Sequence, residues 1–415
     1  MKPHPPGLEK MVYLSHLSLT NFRNFPQLEL DLPPGVVTLF GRNAQGKTSL
    51  LEAIYLLAIA RSFRAENEYE AVNWHTSAEG GFALVAGTIE KESERLRVHV
   101  GYQCVPAREA ESAQAHGARR PFGVRKQIRV SRVKRSAAEL VGLVNAVLFS
   151  ADDLEIVQGS PSIRRRYLDI LISQADSSYL KTLQRYQRVL QNRNRLLKSL
   201  QERRAGEDEL VFWDEELIKE GTAIVNWRHK AMAILSSLCR ESHSELTGSE
   251  ENLTVDYRPS VPLYDQADSV DGIKQGFIVA LKTSRSREVN MGLTAVGPHR
   301  DDFKLLVNDV DMGVYGSRGQ ARTIALAMRL AEVAYLASIR DQGPIVLLDD
   351  VLSEMDSFRR NRVLDKTLQY QQVIITTTDL EMVQSGALPN ATYYEVQNGS
   401  VSRFTLADSL PGNQR

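Results

Sequence analysis

An eight-residue glycine loop constrains the fold of this chain more than any other stretch. Residues Gly41–Thr48 read Gly-Arg-Asn-Ala-Gln-Gly-Lys-Thr, which fits the spacing G-x-x-x-x-G-K-[ST]. An apolar run, Val36–Phe40, precedes the loop, and a run with helical character, Ser49–Ala58, follows it. In that context the glycines let successive N–H groups turn inward, and the new helix adds its positive end. The stretch therefore predicts a strand, a phosphate-binding turn, a helix and a nucleotide site.

Four side chains carry the chemistry that such a site needs. A lysine at the position of Lys47 reaches the β- and γ-phosphates, and the Thr48 hydroxyl can hold Mg²⁺. A second apolar run, Ile345–Leu348, ends in Asp349 and Asp350. A carboxylate held at a strand tip beside the glycine loop can enter the Mg²⁺ shell, and the next one can orient or deprotonate the attacking water.

A second glycine turn, Tyr315–Gln320, opens a long amphipathic helical pattern. Because the first N–H groups of a helix are unpaired, this turn predicts a second anion-binding helix end. Further along, Ser353–Asp356 forms a polar turn after the two carboxylates. Another apolar strand, Val373–Thr378, ends in polar residues.

Residues 161 to about 246 are almost entirely helical in pattern. Apolar positions step by four and three with one charged position, which predicts a heptad seam: Tyr179, Leu183, Tyr186, Leu190, Arg193, Leu197 and Leu200. After a polar turn the returning helix has its own apolar positions: Leu210, Trp213, Leu217, Ile224, Leu235 and Leu238. We predict an antiparallel helical hairpin about 40 Å long, from about 25 residues at 1.5 Å each.

Composition and charge exclude several classes of protein. The 51 basic and 51 acidic residues cancel, so a polyanion must be met by a local patch. The two cysteines, Cys104 and Cys239, lie far apart, which argues against a disulfide framework or a zinc site and suits a reducing cytosol. The sequence shows no run of about 18 apolar residues and no signal-peptide core at its N-terminus. We expect a soluble, cytoplasmic protein.

Two stretches can supply a basic patch. One has eight cations within 17 residues and no acid: Arg119, Arg120, Arg125, Lys126, Arg129, Arg132, Lys134 and Arg135. The other is the outward face of the first hairpin helix: Lys181, Arg185, Arg188, Arg195 and Lys198. Polyanion binding and an ordinary solvated face both remain open for each stretch. The same holds for phosphate contact by three arginines near the glycine loop: Arg23, Arg61 and Arg64.

The order of these parts resembles an ABC-type ATPase head of the SMC-like branch. Four stretches narrow the resemblance to the RecF family of bacterial recombination mediators: Asn21–Asn24, Arg61–Arg64, Gly297–Asp302 and Leu347–Ser353. The resemblance spans about Val12 to Val396. It implies an α/β fold, with an ABC-type P-loop ATPase head (a mixed sheet with helices plus an antiparallel β part) and an inserted α-helical arm domain.

The chain can also be divided into domains. Residues 1–10 are Pro-rich, polar and aperiodic, which predicts a disordered extension, with Met11 as an alternative start of the chain. Residues 11–160 would form the first part of the head with the P-loop, and residues 161–285 the inserted arm. Residues 286–415 would form the second part of the head.

Roles follow position by position from the same resemblance. The triphosphate would be bound by Gly41, Arg42, Asn43, Ala44, Gln45, Gly46, Lys47 and Thr48. Thr48 and Asp349 would hold Mg²⁺, and the catalytic set would be Lys47, Asp350 and Gln158, with Gln158 reporting on the γ-phosphate. ATP bound to the other subunit would be contacted by Ser317, Gly319 and Gln320, with Asp356 crossing the dimer interface.

Two positions depart from the pattern of the wider ABC class. Asp350 stands where many such ATPases have a glutamate, which implies a slow, switch-like hydrolysis. Thr378 stands where many family members have a histidine. At this position the resemblance implies a weaker contact or one made differently.

The implied function is an ATP-dependent homodimer that binds duplex DNA near single-strand gaps or junctions. RecR, with RecO, would be its partner, and the outcome would be RecA loading in recombinational repair and replication restart. Two alternatives belong to other classes of ABC-type assembly. A transporter subunit would want a Leu-Ser-Gly-Gly-Gln helix start and a switch histidine. An SMC-type tether would need helices of hundreds of ångströms.

Overall fold

The computed structural model describes residues 11–65, 67–74, 81–92, 94–106, 122–248, 251–263, 269–340, 342–379, 388 and 390–405. The predicted extension 1–10 lies outside these residues. Contacts divide the chain into two compact units, one formed by Met1–Ala151 with Leu336–Arg415 and the other by Asp152–Tyr335. The predicted boundaries of the head (11–160 and 286–415) and of the inserted arm (161–285) stay a prediction.

Both units contain strands. In chain order they are β1 (Val12–Phe22), β2 (Phe25–Asp31), β3 (Gly35–Phe40), β4 (Phe82–Lys91), β5 (Glu94–Pro106), β6 (Phe122–Val130), β7 (Val133–Arg135), β8 (Ala146–Phe149), β9 (Leu253–Arg258), β10 (Asp302–Val307), β11 (Val310–Asp311), β12 (Ile345–Asp349), β13 (Gln372–Thr377), β14 (Thr392–Gln397) and β15 (Ser400–Phe404).

Helices occur in both units as well. In chain order they are α1 (Lys47–Ile59), α2 (Ala137–Leu140), α3 (Leu154–Gln158), α4 (Pro161–Ala175), α5 (Ser177–Gln201), α6 (Leu210–Thr247), α7 (Val270–Met291), α8 (Met312–Tyr315), α9 (Arg318–Arg340) and α10 (Ser357–Thr367). This mixture confirms the predicted α/β class.

The first unit has an antiparallel sheet with the strand order β2-β1-β4-β5-β6-β7. Its strands alternate buried and exposed side chains, because one face packs on apolar groups and the other meets water. In β1, for example, Leu17 and Leu19 are fully buried, whereas Ser18 and Thr20 between and after them are not. In the sequence, apolar and polar residues alternate along Tyr13–Thr20, Phe82–Ile89 and Leu96–Val100, which predicts such strands, and the structure confirms them.

The second sheet of the first unit positions the glycine loop. Its order is β15-β14-β3-β13-β12-β8, and every neighbouring pair from β14 to β8 is parallel. The central strands are continuous apolar runs, as expected where both faces are covered. Since parallel strands end at one edge, β3, β13 and β12 bring the glycine loop, Thr376 and Asp349 together.

The second unit is mainly helical. Helices α5 and α6 are joined by a short connection and pack against each other and against α7. Five of the apolar seam positions on α5 are buried, and Leu190 is half-buried. With 25 and 38 residues, α5 and α6 are about 38 and 57 Å long at 1.5 Å per residue. None of the helices in the described ranges is long and apolar enough to cross a membrane.

The charged seam position, Arg193, is fully buried. Its guanidinium donates to Asp214 Oδ1 at 2.8 Å, to Glu288 Oε2 at 2.6 Å and to Thr294 Oγ1 at 2.7 Å. A buried charge is tolerated when it is paired and fully hydrogen-bonded. Arg193 therefore joins α5, α6 and α7 through an ionic core.

The stretch Gly297–Asp302 forms a second ionic centre of this unit. Asp301 is buried and accepts hydrogen bonds from Arg228 Nη1 at 2.9 Å and from Tyr257 Oη at 2.6 Å. His299 bonds to Tyr186 Oη at 2.7 Å, and burial lowers the pKa of His299 to about 4. The motif thus fixes helices and strands of the second unit to one another.

Two local interpretations of the sequence are wrong. The stretch Ala151–Leu154 reads as a loop in the sequence, but Ala151–Asp153 forms a 3-10 turn and Leu154 begins α3. The stretch Gly248–Asp271 reads as a polar connection, but it contains β9, which pairs with β10. Its alternation is short and its partner strand lies far along the chain, so the local pattern alone did not reveal it.

Candidate nucleotide site

The glycine loop follows β3 and opens directly into α1. Both of its glycines are required by geometry. Gly41 has φ +151 and a Cβ there would collide with the carbonyl oxygen of Val396; Gly46 has φ +114 and a Cβ would collide with the side chains of Asn24 and Phe25. The left-handed region and the close approach both favour glycine.

Lys47 folds back over the loop. Its ammonium donates to the carbonyl oxygens of Gly41 at 2.7 Å and Arg42 at 2.9 Å. Burial lowers the pKa of Lys47, and the nearby carboxylates of Asp350 and Asp349 counteract that effect. An ammonium held on a glycine loop at the start of a helix is suited to exchange these carbonyl oxygens for phosphate oxygens.

Thr48, Asp349 and Thr376 form a cluster of oxygen atoms beside the loop. Asp349 Oδ1 accepts hydrogen bonds from Thr48 Oγ1 at 3.0 Å and from Thr376 Oγ1 at 2.8 Å. Burial raises the pKa of Asp349, and the two hydroxyl bonds oppose the rise. A hydroxyl and a carboxylate in contact fit the oxygen ligands that Mg²⁺ prefers together with phosphate. Thr48 and Asp349 are therefore the residues that would hold the metal.

Asp350 leaves β12 in an unusual conformation. Its φ is +54, in the left-handed region, and its N–H donates to Thr376 Oγ1 at 2.9 Å. Ser353 Oγ donates to the Asp350 carbonyl oxygen at 2.7 Å. Non-glycine residues at positive φ cost energy and cluster at functional sites. Here the conformation lets the Asp350 residue line the same cavity as Lys47.

A cavity of about 660 Å³ joins these groups. The loop residues and both carboxylates line one part of it, together with Arg64, whose charge opposes the rise in the pKa of Asp349. Arg23 also lines the cavity, but its guanidinium is bound to buried Glu52 through two hydrogen bonds of 2.9 and 2.6 Å. Arg61 is exposed and is not among the lining residues.

The remaining loop residues have structural partners. Gln45 accepts a hydrogen bond from the Asn398 N–H at 2.7 Å through its side chain, and its carbonyl oxygen accepts from Asn24 Nδ2 at 3.0 Å. Asn43 and Ala44 line the cavity, and Ala44 has φ +63. The loop is thus braced from outside while its inner side faces the cavity.

The second set of predicted site residues lies in the second unit. Ser317 and Gln320 cap α9 reciprocally: Gln320 N–H donates to Ser317 Oγ and Ser317 N–H donates to Gln320 Oε1, each at 3.2 Å. Gly319 is exposed between them. Gln158 Nε2 donates to the Gly316 carbonyl oxygen at 3.3 Å. Ser317, Gly319 and Gln320 therefore share one exposed turn, and Gln158 at the end of α3 contacts the residue before it.

Asp356 belongs to the first unit and caps α10. Its carboxylate accepts hydrogen bonds from the Arg359 N–H at 2.9 Å and from Arg359 Nη1 at 2.6 Å. Both bonds lower the pKa of Asp356, and the bond from the Arg359 N–H has the larger effect. The residue is exposed, so the predicted role across an interface is sterically open to it.

The two basic stretches are mostly exposed. On β6, β7 and the turn between them the exposed cations are Arg125, Arg129, Arg132, Lys134 and Arg135, whereas Lys126 turns inward and binds Glu68. Arg119 and Arg120 lie outside the described residues. On α5 all five predicted cations are exposed, and Arg185 pairs with Glu220 at 2.9 Å. The solvated side chains leave the phosphate-binding interpretation open for both stretches.

Three contributors to the site were missed by sequence reasoning. Thr376 supports Asp349, and the polar end of its apolar strand was the available signal. Glu52 binds Arg23 and also accepts a hydrogen bond from Ser62. No local sequence pattern indicates either contact. Trp74, with 73% of its surface exposed, lines the cavity although it follows the loop by more than 25 residues. Only the folded chain brings it there.

The chain is similar to known proteins over most of its length. The family described as RecF/RecN/SMC N terminal domain matches residues 13–401. The chain is 38% identical over 398 residues to the DNA replication and repair protein RecF of Herpetosiphon aurantiacus, which covers 94% of this chain and 99% of that relative.

Solved structures are similar over almost the whole length. The structure of the recombination mediator protein RecF with ATP, in the RecFOR pathway, has a TM-score of 0.82 and 32% identity, covering 95% of this chain and 98% of that one. An Smc head domain with an extended coiled coil from Pyrococcus furiosus, bound to the C-terminal domain of ScpA, has a TM-score of 0.51 and 16% identity, covering 96% and 98%. The latter likeness concerns the fold alone.

Proposed function

The chain belongs to the RecF family, and from that premise we propose that it is an ATP-dependent DNA-binding protein that dimerises on ATP. Its fold is the predicted ABC-type ATPase head with a long helical arm. The observation that carries the proposal is the arrangement of Lys47, Thr48 and Asp349 around one cavity at the end of parallel strands. These residues can bind a triphosphate and its metal at once.

In this proposal each side chain of the cavity has one task. The loop N–H groups and Lys47 hold the β- and γ-phosphates, and Thr48 and Asp349 hold Mg²⁺, which neutralises charge on the phosphates. Asp350 orients the attacking water. Gln158 is not one of the cavity residues, and from family membership alone we propose that it reports the presence of the γ-phosphate. Because an aspartate is one methylene shorter than a glutamate, its reach to that water is reduced. We therefore assign a weak, DNA-stimulated ATPase that works as a switch.

The second half of the proposed site is supplied by another copy of the chain. Ser317, Gly319 and Gln320 form an exposed helix start, which suits contact with the phosphates of ATP bound to that copy. Asp356 is exposed at the start of α10 and would cross the same interface. ATP then joins two copies, and its hydrolysis releases them.

The proposed partner of the closed dimer is DNA. The exposed cations of β6, β7 and α5 are suited to the phosphate backbone, and such contacts carry no sequence information. From family membership we further propose binding near single-strand gaps or junctions, with RecR and RecO as protein partners. RecA loading in recombinational repair and replication restart would follow, in the cytoplasm at the nucleoid.

The dimer is tested by sedimentation of the wild type, Lys47→Met and Ser317→Arg, each with and without Mg-ATP. We expect only the wild type to double its mass with ATP. Lys47→Met removes the cation that meets the phosphates, and Ser317→Arg places a bulky cation at the exposed helix start. Doubling of Ser317→Arg would show that ATP is not held between two copies.

If none of the three proteins doubles its mass with ATP, the same measurement is repeated in the presence of a gapped duplex. If the wild type alone then doubles with ATP, closure requires DNA and the proposal stands in that form. If none doubles with ATP and DNA together, the ATP-driven dimer is refuted. Circular dichroism of each variant supplies the control for folding.

A further inference from the structure

Two aromatic side chains line the cavity that contains the glycine loop. Trp74 is 73% exposed and Tyr69 is 37% exposed, and both are among the residues that form the cavity wall. Large aromatic groups are usually buried to a high degree. Two of them exposed in one concave site are typical of a surface that receives a ligand.

The segment that carries both rings is held firmly beside the loop. Arg23 N–H donates to the Ala71 carbonyl oxygen at 3.0 Å, and Asn73 N–H donates to the Asn21 carbonyl oxygen at 2.8 Å. Phe22 and Val72 form an isolated antiparallel bridge between these two bonds. The backbone around the rings is therefore attached to the turn between β1 and β2.

A side-chain relay ties the same segment to α1. Arg23 Nη1 donates to the Glu70 carbonyl oxygen at 2.8 Å, while the rest of its guanidinium binds Glu52 on α1. Asn24, next to it, donates to the carbonyl oxygen of Gln45 in the loop. The aromatic segment and the phosphate-binding loop thus share one rigid support. A platform fixed in this way loses little conformational entropy when a ligand binds.

The cavity has one part that suits phosphates and a metal ion and another that suits an aromatic ring. Lys47, Thr48 and Asp349 provide a cation, a hydroxyl and a carboxylate, which suit phosphates and a metal ion. A nucleotide also has a flat aromatic base, and an aromatic ring is the natural complement of its face. The cavity of about 660 Å³ lies within the range of about 300–1,000 Å³ that is usual for small-ligand sites.

We propose that Trp74, assisted by Tyr69, is the base-binding platform of the nucleotide site and stacks on the purine ring. This inference rests on the proposed function, because it requires that the loop binds the phosphates of the same nucleotide. It assigns the nucleotide's affinity to two sources, the loop for the phosphates and the Glu68–Trp74 segment for the base.

The first experiment compares two probes by titration calorimetry. Mg-ADP has phosphates and a base but no γ-phosphate to close a dimer, whereas inorganic tripolyphosphate has no base. We expect Trp74→Ala to weaken Mg-ADP binding about 5- to 150-fold, the range for loss of one base–aromatic stack, and to leave tripolyphosphate binding unchanged. Trp74→Phe, which retains a ring, should keep most of the ADP affinity.

A matched control is Phe82→Ala. Phe82 is an exposed aromatic residue of the same unit and is not among the cavity residues, so its removal should change neither affinity. Equal weakening of both probes by Trp74→Ala would overturn the inference, because a ring that only supports the loop would affect both. Unchanged ADP binding would overturn it too, and a simultaneous loss of gapped-DNA binding would assign the ring to a nucleic-acid base.

Fluorescence keeps the inference testable if Trp74→Ala does not fold. The chain has three tryptophans, and the other two, Trp213 and Trp227, lie in the second unit. ADP should quench the wild type and Trp213→Phe but not Trp74→Phe. Quenching that persists in Trp74→Phe refutes the platform. A wild type that binds neither ADP nor tripolyphosphate would instead refute the nucleotide site itself.

Discussion

Replacing Arg193 with methionine should destabilise the second unit by about 3–5 kcal/mol, the usual cost of removing one partner of a buried ion pair. Both Arg193 and Glu288 are fully buried, and Glu288 also accepts a hydrogen bond from the Ala295 N–H at 2.8 Å. The variant leaves the Glu288 carboxylate in the core without its cation. Asp214, in contrast, keeps Arg285 as a partner, so most of the loss arises at Glu288.

The loss should be visible in thermal unfolding. The second unit comprises about 180 residues, and in that size range 1 kcal/mol shifts the midpoint by about 2–4 °C. A destabilisation of about 3–5 kcal/mol therefore corresponds to a shift of about 6–20 °C in the transition of this unit. Circular dichroism at 222 nm follows its helices directly.

Two further variants decide whether the buried charge is the cause. Arg188→Met alters an exposed position of the same helix and should cost less than about 0.5 kcal/mol. Arg193→Met combined with Glu288→Gln removes the unpaired charge and should recover part of the loss. The unpaired buried charge is not the cause if Arg193→Met is no less stable than Arg188→Met, or if the double variant is less stable than Arg193→Met.

Two predictions concern the ligands. Asp349→Asn should leave nucleotide binding in EDTA intact. It should abolish most of the gain in nucleotide affinity from Mg²⁺, a loss of about 10- to 100-fold, as expected for one charged interaction. An unchanged Mg²⁺ dependence in calorimetry would remove Asp349 from the metal site. If about six phosphates are neutralised, duplex DNA affinity should fall by about three decades between 50 and 200 mM salt. The slope of the logarithm of the affinity against the logarithm of the salt concentration should then be about 1.8 smaller for Arg188→Gln with Arg195→Gln. Arg188→Lys with Arg195→Lys should leave it unchanged. A nearly flat salt response of the wild type in fluorescence anisotropy would exclude phosphate binding by the basic stretches.

The parts that the sequence predicts well are those encoded locally. The strand, glycine loop and helix around Lys47 follow from an apolar run, two glycines and a helical pattern within about 25 residues. The apolar strand that ends at Asp349 is equally self-contained. Their meeting could be expected because parallel strands end at one edge, and the order of β3, β13 and β12 realises it.

What the sequence did not predict depends on partners that are distant along the chain. Arg23 was equally open to phosphate contact and to a solvated turn, and it serves instead as the partner of Glu52, a buried carboxylate 29 positions away. Arg193 is the one charged position in an apolar seam, and its partners Asp214 and Glu288 lie on two other helices. In both cases the energy of the ion pair depends on its burial, and the spacing of apolar residues in the sequence does not reveal that burial.

The conformation of Asp350 connects the architecture with the proposed switch. Its positive φ lets the chain leave β12 sharply, and the bonds from its N–H to Thr376 and from Ser353 to its carbonyl oxygen hold that turn. Thr376 also binds Asp349, so the residues proposed to hold the metal and to orient the water share one support. A carboxylate with short reach on a rigid turn favours tight binding of ATP over rapid hydrolysis. In the proposed dimer, that balance would keep two copies closed on DNA long enough for a partner to act.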